Sequence, residues 1–202
     1  IYPSESDGFT VTTFLPEYAG GVVRCVREVY GTGYPRGDLY DPDTLIARNR
    51  CGEWISAVAL DPEGRVVRHA ALERTPGAER VVELGMVLVI PECRRRGLLS
   101  RMRSFLYREA RRRGVVGLWV ELSTTDLVAQ KTVTGNALSH PCGITLHLWP
   151  APGSGAGSED PARRSYLFQF GFFGDPPTVR ASVPDRHRAL VDCVFQQFGV
   201  EV

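Results

Sequence analysis

The stretch from Glu83 to Met102, ELGMVLVIPECRRRGLLSRM, leaves few folds open to a chain that carries it. A carboxylate opens an otherwise apolar strand running from about residue 80 to 90, and Pro91 ends the ladder because it has no N–H to donate. Beyond it Leu98, Leu99, Met102, Phe105, Leu106 and Ala110 recur at helical spacing, and Gly114 supplies a stop. Between strand and helix stand Arg94, Arg95 and Arg96. The helix macrodipole puts partial positive charge at that end, so each cation there costs a few tenths of a kcal/mol. A bound anion resolves the conflict. The unpaired N–H groups of a helix start and the guanidinium donors would both serve a phosphate, and Gly97 lets the backbone come close to it. A solvated basic turn is the plainer reading that charge alone leaves open. The turn is neither a P-loop, since GxxxxGK[ST] is absent, nor a dinucleotide fingerprint, since GxGxxG is missing. A short Arg-containing turn suits a pyrophosphate whose remaining length lies along the strand.

The rest of the chain supplies the frame. Residues 8–14 alternate like a strand, and Pro16 opens a helix with Val22, Val23, Val26, Val29 and Tyr30 on one face. The loop GTGYPRGDLYDPD follows, then a short helix near 44–49. Strands are expected at 53–60 and 65–73, joined by the turn DPEG, and at 115–122, 143–148 and 166–172. A helix spans about 126–138, and the last helix, 185–198, is expected to bury Leu190, Val191, Val194 and Phe195. Residues 150–163 are rich in Gly, Pro and Ser and read as a mobile loop, and 177–183 adds a strand. This order makes a mixed α/β sheet in a single domain, 1–202, with a core at about 8–172 and a C-terminal strand and helix at about 176–200.

Composition removes whole classes of function. A net charge of +1 gives no electrostatic footprint for a nucleic acid or an anionic membrane, and no apolar run is long enough to span a bilayer. Cys25, Cys51, Cys93, Cys142 and Cys193 are odd in number and lack CxxC spacing, so neither a disulfide framework nor a zinc site is expected, and a reducing cytoplasm is the simplest setting. The four histidines form no HxH or HxxxH pair, and no metal is expected. The chain begins at Ile1, so an initiator Met has been lost or the domain is fused to something longer.

The 83–102 segment resembles the acetyl-CoA-binding motif of the GNAT superfamily of N-acetyltransferases, in which [Q/R]-x-x-G-x-[G/A] opens a long helix after a strand that ends near a proline. Here it reads Arg94, Arg95, Arg96, Gly97, Leu98, Leu99, with Leu99 in place of the final small residue. The element order over about 8–172 fits the same family. The resemblance implies a mostly antiparallel central sheet with a splayed parallel strand pair and helices on both faces. It implies acetyl-CoA, or another acyl-CoA, as co-substrate. Val87, Leu88 and Val89 would pair with the pantetheine arm, and the loop from Arg94 to Leu99, with Ser100, would hold the pyrophosphate mainly by main-chain N–H groups.

Transfer to an amine needs a base, because an ammonium has no lone pair. Glu83 lies on the expected thioester strand, on the same face as Val87 unless a bulge intervenes. Its eleven-residue spacing from Arg94 resembles that of the catalytic Glu in the histone-acetylating branch. A structural Glu paired with an arginine is the alternative. By the same resemblance the Val87 N–H would polarise the thioester carbonyl. The family's Tyr for the leaving thiolate is missing from DLVAQKTVTGNALSHPCG, leaving Thr124, Ser139 or water. The loop at 31–43 would cover the acceptor, and Tyr34, Asp38 and Tyr40 suit a cationic amine, although turns favour such residues anyway. The implied function is an acyl-CoA-dependent N-acyltransferase that acetylates a primary amine of a small molecule or peptide by direct transfer in a ternary complex. A non-catalytic, acyl-CoA-binding module of a larger protein is the alternative.

Overall fold

Two short turns organise the centre of the fold. The computed structural model describes residues 2–3, 8–134, 139–150, 163–176 and 182–200. Strand β3 (Trp54–Leu60) turns at Asp61 into β4 (Val66–Thr75), which turns at Pro76-Gly77 into β5 (Ala78–Val89). Asp61 closes the first turn with its carboxylate on the Arg65 N–H at 2.7 Å, and Gly64 and Gly77 both adopt the left-handed φ these turns need. β2 (Thr10–Thr13) pairs with β3, and β1 (Tyr2–Pro3) pairs with β2. Every neighbour in this set is antiparallel, in the order β1-β2-β3-β4-β5. These strands belong to a compact unit that runs to Val115.

Its faces are covered from both sides. Helix α1 (Ala19–Tyr30) buries Val22, Val23, Cys25 and Val26 against β4 and β5, and α2 (Pro42–Arg50) packs beside it. Trp54, Val58, Val66, Ala71, Met86 and Leu88 form the floor of that cluster. On a pleated strand neighbours point oppositely, so Ile55, Ala57 and Ala59 face the other way, where α3 (Leu98–Arg112) lies on β3 with Leu98, Met102 and Leu106 buried. Each fully buried Leu or Met removes enough apolar surface to contribute about 1.5–3 kcal/mol.

The second unit starts at Val116. Its strand β6 (Gly117–Ser123) pairs antiparallel with β8 (Arg163–Phe172), and β7 (His140–Pro150) follows on the far side of β8. Helix α4 (Leu127–Thr134) packs on β6. After α5 (Asp185–Gln196), Phe198 sets its ring edge-on against His140, Phe170 and Phe172. The architecture is thus mixed α/β with mostly antiparallel strands. One expectation is corrected: α5 has no fully buried residue, since Leu190 is 66% exposed and Val191, Val194 and Phe195 are only half-buried. The expected loop at 150–163, apart from its two end residues, and most of the expected strand at 177–183 lie outside the described residues.

Candidate functional site

Strand β5 is not regular. Its register against β4 runs Glu73 to Glu83, Leu72 to Leu84 and Ala71 to Gly85, then resumes at His69 to Leu88. Two steps on β4 therefore answer three on β5, which is a β-bulge, and Met86 within it has φ 53°. The Met86 carbonyl accepts a hydrogen bond from His69 Nδ1 at 3.1 Å. A carbonyl can only accept, so the proton of this imidazole sits on Nδ1. Burial pushes His69 down to about 4, against the smaller opposing effect of that bond, and keeps the ring neutral.

The bulge decides which side chains share a face. Glu73, Ala71 and His69 alternate on β4, so their partners Glu83, Gly85 and Leu88 all point to the α1 side. Val87 then points the opposite way. In a regular strand Glu83 and Val87 would share a face; here the bulge intervenes and separates them. Gly85 also makes room for the carboxylate, since a Cβ placed on it would lie 3.1 Å from Glu83 Oε1.

Two carboxylates directly opposite on neighbouring strands repel. Arg36 answers that for Glu73, donating from Nη1 at 2.6 Å and from Nη2 at 3.0 Å, while Trp54 Nε1 donates at 3.1 Å. Burial alone would raise the Glu73 carboxyl; the hydrogen bonds from Arg36 and Trp54, with the charges of Arg36 and Arg48, outweigh it and hold it below the usual carboxylate range. Arg36 also pairs with Asp38 at 3.1 Å, and Arg48 reaches Asp38 at 3.6 Å. Both guanidinium groups lie over the Trp54 ring, 5.6 and 5.1 Å from its centre. The Tyr40 hydroxyl accepts from the Tyr34 backbone N–H at 3.0 Å, so it braces the loop from within. The Tyr34 phenol is pushed up first by burial and then by Tyr30, Glu83 and Asp38, against Arg36, and stays protonated. Of the three loop residues expected to face an amine, Asp38 is thus committed to arginines, Tyr40 to the loop backbone, and Tyr34 lies in the field of Glu83.

The arginine turn begins where Ile90 N–H donates to Val67 O at 3.1 Å and Arg94 N–H to Pro91 O at 3.2 Å. Arg95 then takes φ 62°, and Gly97 is left-handed at φ 68°, ψ 1°. Ser100 and Arg101 both turn their N–H groups back to Gly97 O, at 3.1 and 3.3 Å. Among the described residues, the N–H groups of Arg95, Arg96, Gly97, Leu98 and Leu99 meet no backbone acceptor. Five consecutive amides thus crowd the start of α3, where the dipole adds positive potential. All three arginines are exposed, and Arg96 lies over the Phe9 ring, 5.2 Å from its centre. Leu98 buries its side chain and leaves only its N–H to the turn, Leu99 is half-buried, and Ser100 is exposed.

The acetyltransferase (GNAT) family matches residues 23–132, more than half of the chain. The chain belongs to that family. No curated protein sequence matches it. Among solved structures it is similar to the ribosomal-protein-S18-alanine N-acetyltransferase of Escherichia coli (15% identity, TM-score 0.64, 86% of this chain and 99% of that one). It is also similar to the ribosomal-protein-S5-alanine acetyltransferase of Vibrio fischeri (9%, 0.67, 84% and 95%). A third is the PaiA N-acetyltransferase of Thermoplasma acidophilum, solved in complex with coenzyme A (11%, 0.56, 82% and 99%). At these identities the likeness speaks for the fold.

For a GNAT chain the arginine turn passes a physical test of fit to an acyl-CoA. The five amides without backbone acceptors, in a left-handed turn at a helix start, are the donor set that a pyrophosphate requires. On the proton-donor side, the Thr124 hydroxyl donates to Ser165 O and the Ser139 hydroxyl to Gln169 Oε1, each at 3.0 Å, which commits both hydroxyl protons within the fold. Sequence reasoning missed Trp54, His69, Glu73 and Gly85. Glu73 left no local signal, since it stands opposite Glu83 only through a register shift between Arg74 and Thr75, beyond the Pro76-Gly77 turn.

Proposed function

We propose that this GNAT protein is an acyl-CoA-dependent N-acyltransferase that transfers acetyl to a primary amine by direct transfer in a ternary complex. The observation that carries this reading is the bulged strand β5 followed by the turn of unpaired amides at Arg95–Leu99. Acetyl-CoA supplies an activated acyl carbonyl. The chain supplies the rest: the loop from Arg94 to Leu99, with Ser100, binds the pyrophosphate, mainly through the main-chain N–H groups of Arg95 to Leu99, and backbone groups of Val87, Leu88 and Val89 hold the pantetheine arm. The Val87 N–H orients the carbonyl.

Glu83 is the base, directly or through a water. It sits on the α1 face of β5 beside Gly85, opposite a Glu73 whose charge Arg36 already balances. A proton taken from the ammonium would rest on a Glu83 oxygen. Tyr34, Asp38 and Tyr40 shape the acceptor side. The acceptor is an amine of a small molecule or peptide in a cytoplasmic setting; the ribosomal-protein acetyltransferases among the similar structures support a protein terminus as one class to screen.

Calorimetry with acetyl-CoA, followed by thiol release over a panel of amines and N-terminal peptides, tests this. Arg95→Glu should weaken acetyl-CoA binding about tenfold or more, the loss of a charge-assisted phosphate contact. Glu83→Gln should lower kcat by at least about 10²-fold while leaving acetyl-CoA affinity in place. Full turnover of Glu83→Gln across pH 6–9 would remove Glu83 as the base. Tight acetyl-CoA binding with no turnover over the whole panel would instead favour an acyl-CoA-binding module.

A further inference from the structure

Arg68 takes no part in the arrangement described above, yet it is the residue whose surroundings least explain it. It stands on β4, is only 6% exposed, and its Nε has no hydrogen-bond partner. Arg36, Arg48 and Arg65 each meet a carboxylate, but among the described residues none pairs with Arg68. Burial alone lowers it to about 10, which still leaves it protonated at neutral pH. A buried cation with neither a counter-charge nor full hydrogen bonding is among the costliest arrangements in a folded chain, and a guanidinium cannot escape by losing its proton.

Its position indicates what would neutralise it. Arg68 is the cross-strand partner of Ala59 on one side and of Val89, the last residue of β5, on the other. Cross-strand partners share a face, and Ala59 lies on the face that α3 covers. Ala57, Ala59 and Ala70 occupy this face, and their small side chains leave space for a long one. The preceding residue, Val67, accepts the Ile90 N–H at 3.1 Å, so the root of the arginine turn is tied to the backbone beside Arg68. The unpaired amides of Arg95 to Leu99 belong to that same turn. An unpaired buried cation and a set of unpaired donors at one end of one strand pair point to a single anion.

We propose that Arg68 is the buried counter-charge of the acyl-CoA pyrophosphate, held on β4 for the same anion that the amides of the arginine turn receive. This rests on the acyl-CoA reading of the turn. It carries a consequence that an ordinary binding arginine would not: without ligand the chain holds an uncompensated charge, so Arg68 trades stability of the free protein for affinity.

The test uses the full chain with Arg68→Met, which keeps length and removes charge, and Arg68→Gln as a second neutral variant. Calorimetry with CoA and with dephospho-CoA, which lacks the 3′-phosphate but keeps the pyrophosphate, is combined with melting of the ligand-free protein. The expected result is a higher Tm for ligand-free Arg68→Met than for the parent, with both ligands weakened at least tenfold and by similar factors, and the same losses in Arg68→Gln. Unchanged affinity in both variants overturns the proposal. So does a loss confined to CoA, which would assign Arg68 to the 3′-phosphate, or a lower ligand-free Tm in both variants, which would mean a partner within the protein. Failure of the parent chain to bind either ligand would instead overturn the acyl-CoA reading itself.

Discussion

Gly85 and His69 show how single residues set up strand β5. A Cβ at position 85 would stand 3.1 Å from Glu83 Oε1, so Gly85→Ala must displace the carboxylate by a few tenths of an ångström. Its φ is not in the left-handed region, and the backbone accepts the alanine. With Glu83 as base, Gly85→Ala is expected to lower kcat several-fold to tenfold with acetyl-CoA affinity unchanged, since misplacing a reacting group by less than an ångström is enough to slow the chemistry. Steady-state kinetics beside calorimetry check this, and an unaltered kcat would detach the Glu83 position from catalysis. His69 makes a prediction about stability. Its folded pKa is about 4, whereas an unperturbed imidazole titrates near 6.5. Between those values the unfolded chain binds a proton that the folded chain does not, so stability rises with pH across this window. The contribution is complete above about pH 6.5 and falls by about 3 kcal/mol as pH drops towards 4. Urea denaturation at pH 7.5 and 5.0 should show a steeper loss in the parent than in His69→Leu. Equal losses would mean that His69 is not buried and neutral.

At the scale of elements, the loop between α1 and α2 is tied to β4 by Arg36. The pair with Glu73 is bidentate and half-buried, and Trp54 supports both partners. Such a pair sits between an exposed ion pair and a fully buried one, so a double-mutant cycle of Arg36→Ala with Glu73→Gln should return a coupling of about 1–3 kcal/mol. A coupling near zero would show that the loop is anchored by its backbone alone. Arg36→Ala by itself should be worse than the double change, because it removes both guanidinium hydrogen bonds from a Glu73 that stands opposite Glu83. By sequence alone Tyr34, Asp38 and Tyr40 suit a cationic amine. Which carboxylates Arg36 takes depends on Glu73, thirty-seven residues away, and no local pattern carries that information.

Across the whole molecule, apolar burial is unevenly shared. The first unit packs Trp54, Leu39, Leu45, Leu72, Leu98, Met102 and Leu106 essentially without exposure. The second leaves Ile144 and Leu146, alternate residues of β7, at 62% and 74% exposure. Substituting both by Thr removes little buried surface, so unfolding free energy should change by less than about 1 kcal/mol, whereas Leu106→Ala should cost about 2–5 kcal/mol. Chemical denaturation of the two variants makes the comparison, and a large loss in the Thr double variant would show that β7 is covered in solution. The same contrast explains what could be read from the chain alone. The strand, the arginine turn, the helix after it and the DPEG hairpin follow from periodicity, from the missing N–H of Pro91 and from glycines placed where φ must be positive. All of these act within a few residues, and so does the family motif. The bulge at Met86, the face on which Glu83 stands, the Arg36–Glu73 pair and the buried Arg68 were decided only by tertiary structure. Each depends on the register between two strands or on a partner dozens of residues away, and one residue's slip in register reverses every face.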